Sequence, residues 1–328
     1  MRVPAIVFRG SGGPEVIAIG ETDVRDPGFG EVSVEIAAAG VNRADVLQRK
    51  GMYPPPPGAS DVPGLELAGT VVARGAGASF WSEGARVMAI TAGGGLAKRI
   101  TLHERELVAV PASIDLIDAG GIPEVFWTAW DALVLQAGLR AGETVVVHAA
   151  SSGVGTAALQ IARAIGARAI ATARTRSKLE SLVAMDLVTD TIAVTDGGFA
   201  KQVHALTAGR GADVVLDLVG ASYFEEDVRA IATRGRIVLL STAGGASGNA
   251  PFGMMLGKRA TVIGTVLRAR PLEEKIALAR EIAAHVTPLF ERGALRPVID
   301  RVMPMHDCAA AHAHMEANAN VGKIVLSW

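Results

Sequence analysis

The chain has 328 residues, 50% hydrophobic and 20% charged, which is more than one hydrophobic core usually serves, so two domains are expected. Lysine plus arginine total 32 against 33 for aspartate plus glutamate, a balance with no electrostatic footprint for nucleic acid or an anionic membrane. The single cysteine, Cys308, excludes an intrachain disulfide and a cysteine-rich zinc site.

The first segment, Met1–Arg9, holds too short an apolar run for a signal peptide. Nowhere do about 18 apolar residues follow one another as a membrane span requires. A cytoplasmic enzyme is the expectation. Over residues 1–120 the apolar runs are short and broken by glycine and proline: Ala5–Phe8, Val32–Ala37, Leu67–Ala73, Arg86–Ile90 and Leu107–Val110. These predict a compact, mostly β domain. Between them, Tyr53-Pro-Pro-Pro-Pro57 is a stiff loop, because proline fixes φ and lacks the N–H that a helix or central strand needs.

From 121 the rhythm changes to strand, helix, strand, helix. Strands are predicted at Thr144–His148, Ala169–Ala173, Val214–Asp217 and Ile237–Leu240, with helices at Gly153–Ile165, Lys178–Met185 and Tyr223–Ile231. Strands apolar throughout and alternating with helices predict a parallel sheet covered on both faces. An amphipathic helix follows at Pro271–His285. A last strand at Lys323–Leu326 is placed to return to the first domain.

The most informative segment is Val145-Val-Val-His-Ala-Ala-Ser-Ser-Gly-Val-Gly-Thr-Ala-Ala158. A strand enters a glycine-containing turn and then a helix of small residues, the arrangement that sets a pyrophosphate on free N–H groups at a helix N-terminus. Gly153, Val154 and Gly155 supply close backbone approach, and Ser151 and Ser152 supply hydroxyl donors. Ala150 and Ser152 stand at the first two glycine positions of the full Gly-x-Gly-x-x-Gly pattern, so a ligand-free tight turn is the alternative. The end of the next strand, Ala171-Thr-Ala-Arg-Thr-Arg-Ser-Lys178, carries three bases and none of the acids that would accept from an NAD ribose. Arg174 and Lys178 suit the 2′-phosphate of NADPH, with Thr175 or Ser177 as hydrogen-bond partners; a solvated basic loop is the plainer reading.

Together these segments resemble the quinone oxidoreductase (zeta-crystallin-like) branch of the medium-chain dehydrogenase/reductase superfamily. The resemblance runs nearly end to end through Phe8–Val16, Gly40–Asp45, Gly51–Gly58, Pro63–Glu66, Pro123–Trp130, the Ser151–Thr156 turn and Val321–Leu326. It implies an α/β fold. A GroES-like β-rich domain (1–120, completed by 269–328) would join a Rossmann doubly wound parallel-sheet domain (121–268), with NADPH in the cleft between them. Zinc-dependent members hold a catalytic metal with cysteine, histidine and an acid. Asn42 stands where that cysteine is expected and Leu65 where the histidine is, so no metal is expected. The remaining group of His306, Cys308, His312 and His314 has no recognisable ligand spacing and is expected on an alanine-rich helix.

The expected chemistry is metal-free hydride transfer from NADPH to a quinone or activated enone, whose carbonyls already withdraw electrons. The resemblance turns Asn42, Asp45 and Tyr53 toward the cleft. Asn42 would donate to a carbonyl oxygen or hold the cofactor. Tyr53 would donate a proton, stack on a flat substrate or pack on Pro54. Asp45 would act as a general acid or make local polar contacts. Solvent protonation of the product is the alternative to any dedicated donor. Thr128, Ser241 and Lys323 are further cofactor contacts by the same resemblance. Phe126, Trp127 and Trp130 belong either to the cleft or to the core. Val194 and Ala85 depart from the family pattern, as does Leu96 after Gly93–Gly95. A 2-alkenal or enoyl-thioester reductase is the competing enzyme, and a nucleotide-binding protein with little catalysis the competing class. By the same resemblance a homodimer joined at the sheet edge, Thr261–Leu267, is expected, with a tetramer as the alternative.

Overall fold

Alternating β-branched residues along the first third of the chain become strands because period-two burial gives each a face to hide. The computed structural model describes residues 1–196 and 198–328 and falls into two units, residues 1–127 with 267–328 and residues 128–266. Unit 1 begins with β1 (Arg2–Phe8) and β2 (Ile17–Asp23), an antiparallel pair. Then come β3 (Glu31–Val41), helix α1 (Arg43–Arg49), β4 (Glu66–Arg74), β5 (Arg86–Ile90), β6 (Arg99–His103) and β7 (Val108–Ala109), followed by helices α2 (Leu116–Ala119) and α3 (Pro123–Trp130).

Strand β3 is the spine of unit 1. It pairs antiparallel with β4 and β6 and carries irregularities in its register with β4 at Ser33/Val34 and Ile36/Ala38. A bulge shifts the side-chain parity by one residue. Before the second irregularity Val32, Val34 and Ile36 enter one core; after it Ala39 and Val41 enter another. One strand thereby serves two hydrophobic clusters.

Unit 2 alternates strictly. Its elements are β8 (Thr144–Val147), α4 (Gly153–Ala164), β9 (Arg168–Ala173), α5 (Arg176–Ala184), β10 (Asp190–Ala193), α6 (Ala200–Leu206), β11 (Ala212–Asp217), α7 (Ala221–Ala230), β12 (Ile231–Leu239), α8 (Phe252–Lys258) and β13 (Thr261–Gly264). All strand pairs are parallel, in the order β10-β9-β8-β11-β12-β13. The chain steps outward from β8 to β10, then crosses to β11 on the other side of β8. Such a reversal leaves a crevice at the carboxyl ends of the strands. Val145, Val146 and Val147 are fully buried, which explains an unbroken apolar strand.

The chain then adds α9 (Leu272–Glu281), α10 (Thr287–Glu291), β14 (Ile299–Pro304), α11 (Cys308–Glu316) and β15 (Lys323–Ser327). Strand β15 lies between β14 and β3, antiparallel to β3, with Ile324, Val325 and Leu326 wholly enclosed. The last residues of the sequence are thus an interior strand of unit 1. The predicted edge strand at Thr261–Leu267 is shorter than expected: it ends at Gly264, and Leu267 is already buried within unit 1. Among the described residues no helix is long and apolar enough to cross a membrane.

Replacing Leu326 by alanine deletes buried methyl groups from an interior strand and is expected to cost about 2–5 kcal/mol in urea unfolding. A loss below about 1 kcal/mol would contradict an interior position for β15.

Candidate active site

In unit 2 the functional geometry starts at the end of β8. Ala149 takes a left-handed φ of 45°, and Ala150 N–H bonds back to the Thr172 carbonyl of β9, so the backbone turns sharply into α4. Ser152 is the N-cap and accepts from Gly155 N–H at 3.1 Å. Its hydroxyl proton therefore remains available to a ligand. The Gly153 and Val154 N–H groups have no acceptor among the described residues, and both positions are partly exposed. A Cβ on Gly155 would lie 2.5 Å from the Ala150 carbonyl oxygen, so only glycine lets the helix approach this closely. These features fit a dinucleotide pyrophosphate, with Ser151, Ser152, Gly153 and Val154 able to hold it.

Beneath the turn, His148 is completely buried. It bonds Thr172 Oγ1 and Asp227 Oδ1, both at 2.7 Å, and meets the rings of Phe199 and Tyr223 edge-on. It ties β8, β9 and α7 together directly under the Ser151–Gly155 turn. Sequence reasoning passed over His148 inside an apolar strand. Asp217, at the end of β11, accepts from Val219 and Gly220 N–H and shapes the next loop; burial, then the nearby Asp227, pushes its carboxyl up to about 6.

Arg174 follows β9 and is exposed, with no hydrogen bond or ion pair among the described residues; its charge reaches Tyr223. Lys178 is partly buried on α5. Ser241 lies just beyond β12, its hydroxyl accepting from Ala243 N–H, and Thr128 lies on α3 as the first residue of unit 2. Ser151–Gly155, Arg174 and Ser241 therefore all follow the carboxyl ends of parallel strands, where such folds bind ligands. Val194, past β10, is buried.

In unit 1, Asn42 opens α1 and Asp45 sits one turn in. Asp45 is fully buried and accepts from the N–H groups of Asn42 at 2.8 Å and Gly64 at 3.2 Å. Desolvation still pushes its carboxyl up to about 6, against the pull of those two donors. Both oxygens are engaged, so Asp45 holds the local backbone in place, the local polar contact of the two roles foreseen for it.

The centre of unit 1 is an ion pair. Lys323, the first residue of β15, donates to Glu66 Oε1 at 2.5 Å, Asn42 Oδ1 at 2.7 Å and the Val41 carbonyl at 3.1 Å. Asn42 Nδ2 in turn donates to Glu66 Oε1 at 2.9 Å, and Glu66 Oε2 accepts Glu124 N–H at 2.9 Å. Gly40 makes the room: a Cβ there would lie 2.3 Å from Glu66 Oε1 and 2.5 Å from Lys323 Cε. All three ammonium donors of Lys323 are taken, so the cofactor contact expected of this residue has no donor left to make it.

Glu124, in the first turn of α3, is the group the sequence reading missed. Its carboxyl accepts no hydrogen bond and makes no ion pair among the described residues. Burial and then the charge of Glu66 push it up to about 8, with Asp45 adding to the effect and Lys323 and Arg268 opposing it. The charge pattern Pro123-Glu124 was visible, but its buried acidic neighbours come from β4 and α1. Close by, Tyr53 is half-buried under the Arg268 guanidinium, which lies 5.0 Å from the ring centroid. Arg268 is itself fixed by Gln48 Oε1 and the carbonyls of Tyr53 and Ala92. Phe126 and Trp127 are core residues, Phe126 packing edge-on against Phe290 at 4.7 Å.

A catalytic zinc does not fit this donor set. The oxygens of Asn42 and Glu66 already hold the chain's own ammonium, and Leu65 is buried apolar surface. On α11, His312 is buried and pushed down to about 4 by desolvation and the Arg49 charge, and His314 bonds Asp300; His306 lies before that helix, in the turn Met305–Asp307, and is exposed. Burial pushes the Cys308 thiol up to about 12. Among the described residues no three such side chains are grouped to hold a metal ion.

Two family models match the chain: an alcohol dehydrogenase GroES-like domain over residues 28–134 and a zinc-binding dehydrogenase over residues 153–284. The second name is that of the family model, and among the described residues no three His, Cys, Asp or Glu side chains are grouped to hold a metal ion. A quinone oxidoreductase-like protein 2 homolog of Nematostella vectensis is 30% identical, over 92% of this chain and 82% of that one. Human quinone oxidoreductase is 29% identical, over 96% and 94%. Among solved structures, an NAD-dependent alcohol dehydrogenase is 32% identical with a TM-score of 0.86, covering 99% of both chains. The JamJ enoyl reductase is 26% identical with a TM-score of 0.89, covering 100% of this chain and 99% of that one. A mycobacterial protein solved in complex with NADPH is 28% identical with a TM-score of 0.88, covering 99% and 100%. The fold is therefore a GroES-like domain with a Rossmann-type parallel-sheet domain.

Because Asp45 and Glu124 have raised values when folded, the folded protein holds protons that the unfolded chain has released above the ordinary carboxylate range. The stability linked to them is complete below that range and is lost as pH rises through about 6 and then about 8. Urea midpoints measured from pH 5 to 9 should fall, and Glu124→Gln should flatten the upper part of the decline. A decline of equal slope in the variant would contradict the assignment.

Proposed function

The chain belongs to the quinone oxidoreductase family of the medium-chain dehydrogenases/reductases, and from that premise we propose that it is a metal-free, NADPH-dependent quinone oxidoreductase. The observation that carries the cofactor choice is the end of β9, where Arg174 is exposed and uncommitted and no carboxylate awaits a ribose hydroxyl. The mycobacterial neighbour's NADPH supports the same choice. Bound NADPH supplies a hydride with its electron pair. The free N–H groups of Gly153 and Val154, with the hydroxyls of Ser151 and Ser152, receive the pyrophosphate. Arg174 and Lys178 neutralise the 2′-phosphate, with Thr175 or Ser177 adding hydrogen bonds. Thr128 and Ser241 complete the cofactor contacts.

On the substrate side, Tyr53 offers a flat half-buried ring held by Arg268, suited to stacking on a quinone. Asn42 acts through the Lys323–Glu66 pair: its amide is consumed by that network, so it positions the carboxylates and leaves the substrate carbonyl to other donors. The relatives named quinone oxidoreductase support the substrate class. A second reading, reduction of an enoyl thioester, is favoured by the likeness to the JamJ enoyl reductase. We propose further that β13, whose outer edge has no strand partner among the described residues, joins two copies. The mass measured by light scattering is then twice that of the chain.

Steady-state rates with an ortho-quinone, a 2-alkenal and a crotonyl thioester decide between the readings. The quinone should give the highest kcat/KM, and absence of quinone turnover would overturn the proposal. Replacing Arg174 and Lys178 by alanine should raise the NADPH KM at least about tenfold while barely changing that for NADH, as expected for lost charge-assisted hydrogen bonds. Equal changes with the two cofactors would contradict a 2′-phosphate role.

A further inference from the structure

Three carboxyl groups meet in unit 1, and they are not equivalent. Asp45 gives both oxygens to backbone N–H donors, and Glu66 gives both to Lys323, Asn42 and the Glu124 N–H. Only the carboxyl of Glu124 is uncommitted, and Glu124 alone of the three is partly exposed. The charges that act on it come from several elements: Glu66 on β4, Asp45 on α1, Lys323 on β15, and Arg268, while its own charge acts on Tyr53. Counting formal charges, one ammonium bound to a carboxyl and one guanidinium held by Gln48 and two carbonyls stand against three carboxyls, a formal −1 that one protonated carboxyl cancels.

We propose that Glu124 is that carboxylic acid and the proton donor of the reaction, protonating the oxygen of the reduced substrate. The inference rests on the quinone-reductase reading above. When the substrate has taken a hydride from the reduced nicotinamide, the two electrons end on a carbonyl oxygen. The Glu124 O–H bond breaks, a substrate O–H bond forms, and the Glu124 carboxylate remains. Solvent then returns a proton to Glu124. The sum is quinone, reduced nicotinamide and one proton giving hydroquinone and oxidised nicotinamide. Lys323 and Arg268 stabilise the transient carboxylate, while Glu66, one hydrogen bond away along the chain, makes its reprotonation favourable.

Two readouts test this. An infrared pH titration of the protein without cofactor, with Glu124→Gln to assign the band, should show a protonated carboxyl at neutral pH that titrates near 8. In kinetics at saturating NADPH, kcat for the quinone should fall as pH rises through the same range. Glu124→Gln should lose that limb and lower kcat about a hundredfold, with NADPH binding by fluorescence unchanged. Glu124→His, which restores a titratable donor, should move the limb down toward an ordinary imidazole value. A carboxyl already ionised at neutral pH, or a Glu124→Gln enzyme with unchanged kcat and pH profile, would overturn the assignment while leaving the quinone-reductase reading intact. No NADPH-dependent turnover by the unaltered enzyme would overturn that reading and this one with it.

Discussion

The interaction on which unit 1 depends is the ammonium of Lys323 held by Glu66, Asn42 and the Val41 carbonyl. Its partners come from β3, β4 and the start of α1, and Lys323 itself opens the last strand. A buried charge removed from water is costly unless its partners are close and complete. Here the geometry meets that demand: three donors and three oxygens, with a glycine at position 40 to let them meet. The cation is covalently part of the chain and takes the Asn42 and Glu66 oxygens for itself. Asn42 and Leu65, which stand where the family resemblance expects a cysteine and a histidine, are here a partner of Lys323 and buried apolar surface, respectively.

That arrangement sets the protonation of its neighbours. The Glu66 carboxyl that pairs with Lys323 lies one hydrogen bond from the Glu124 backbone, and its charge disfavours a second one on the half-buried Glu124. Asp45 and Glu124 respond in the same direction but to different extents, because Asp45 has two backbone N–H donors to stabilise its charged form and Glu124 has none. Unit 2 builds its site by another rule. There the strands are apolar on both faces and the polar chemistry is pushed to their carboxyl ends, with His148 bracing the turn from below.

Much of this was legible in the amino-acid sequence. The βαβ rhythm announced the parallel sheet, since valines at 145–147 have nowhere exposed to face. The Ser151–Gly155 turn and the acid-free end of β9 were readable because their spacing is local. Strands β2, β6, β10 and β14 escaped notice because they are half-exposed and interrupted by polar residues or glycine, and α1 because it is only seven residues long. The carboxylate cluster was illegible for a different reason. Residues 42, 66, 124 and 323 are brought together by strand pairing across nearly the whole chain, and no spacing encodes that. Asn42, Asp45 and Lys323 were singled out, but their partners were not, so their roles shifted from touching ligands to holding one another.

The central claim is that an internal ammonium stands in place of a metal. It is tested most directly by elemental analysis of the purified protein, combined with NADPH-dependent quinone turnover before and after exhaustive chelation. The account predicts zinc far below one per chain and a rate unchanged by chelation. One zinc per chain, with activity lost to the chelator and restored by zinc, would contradict it.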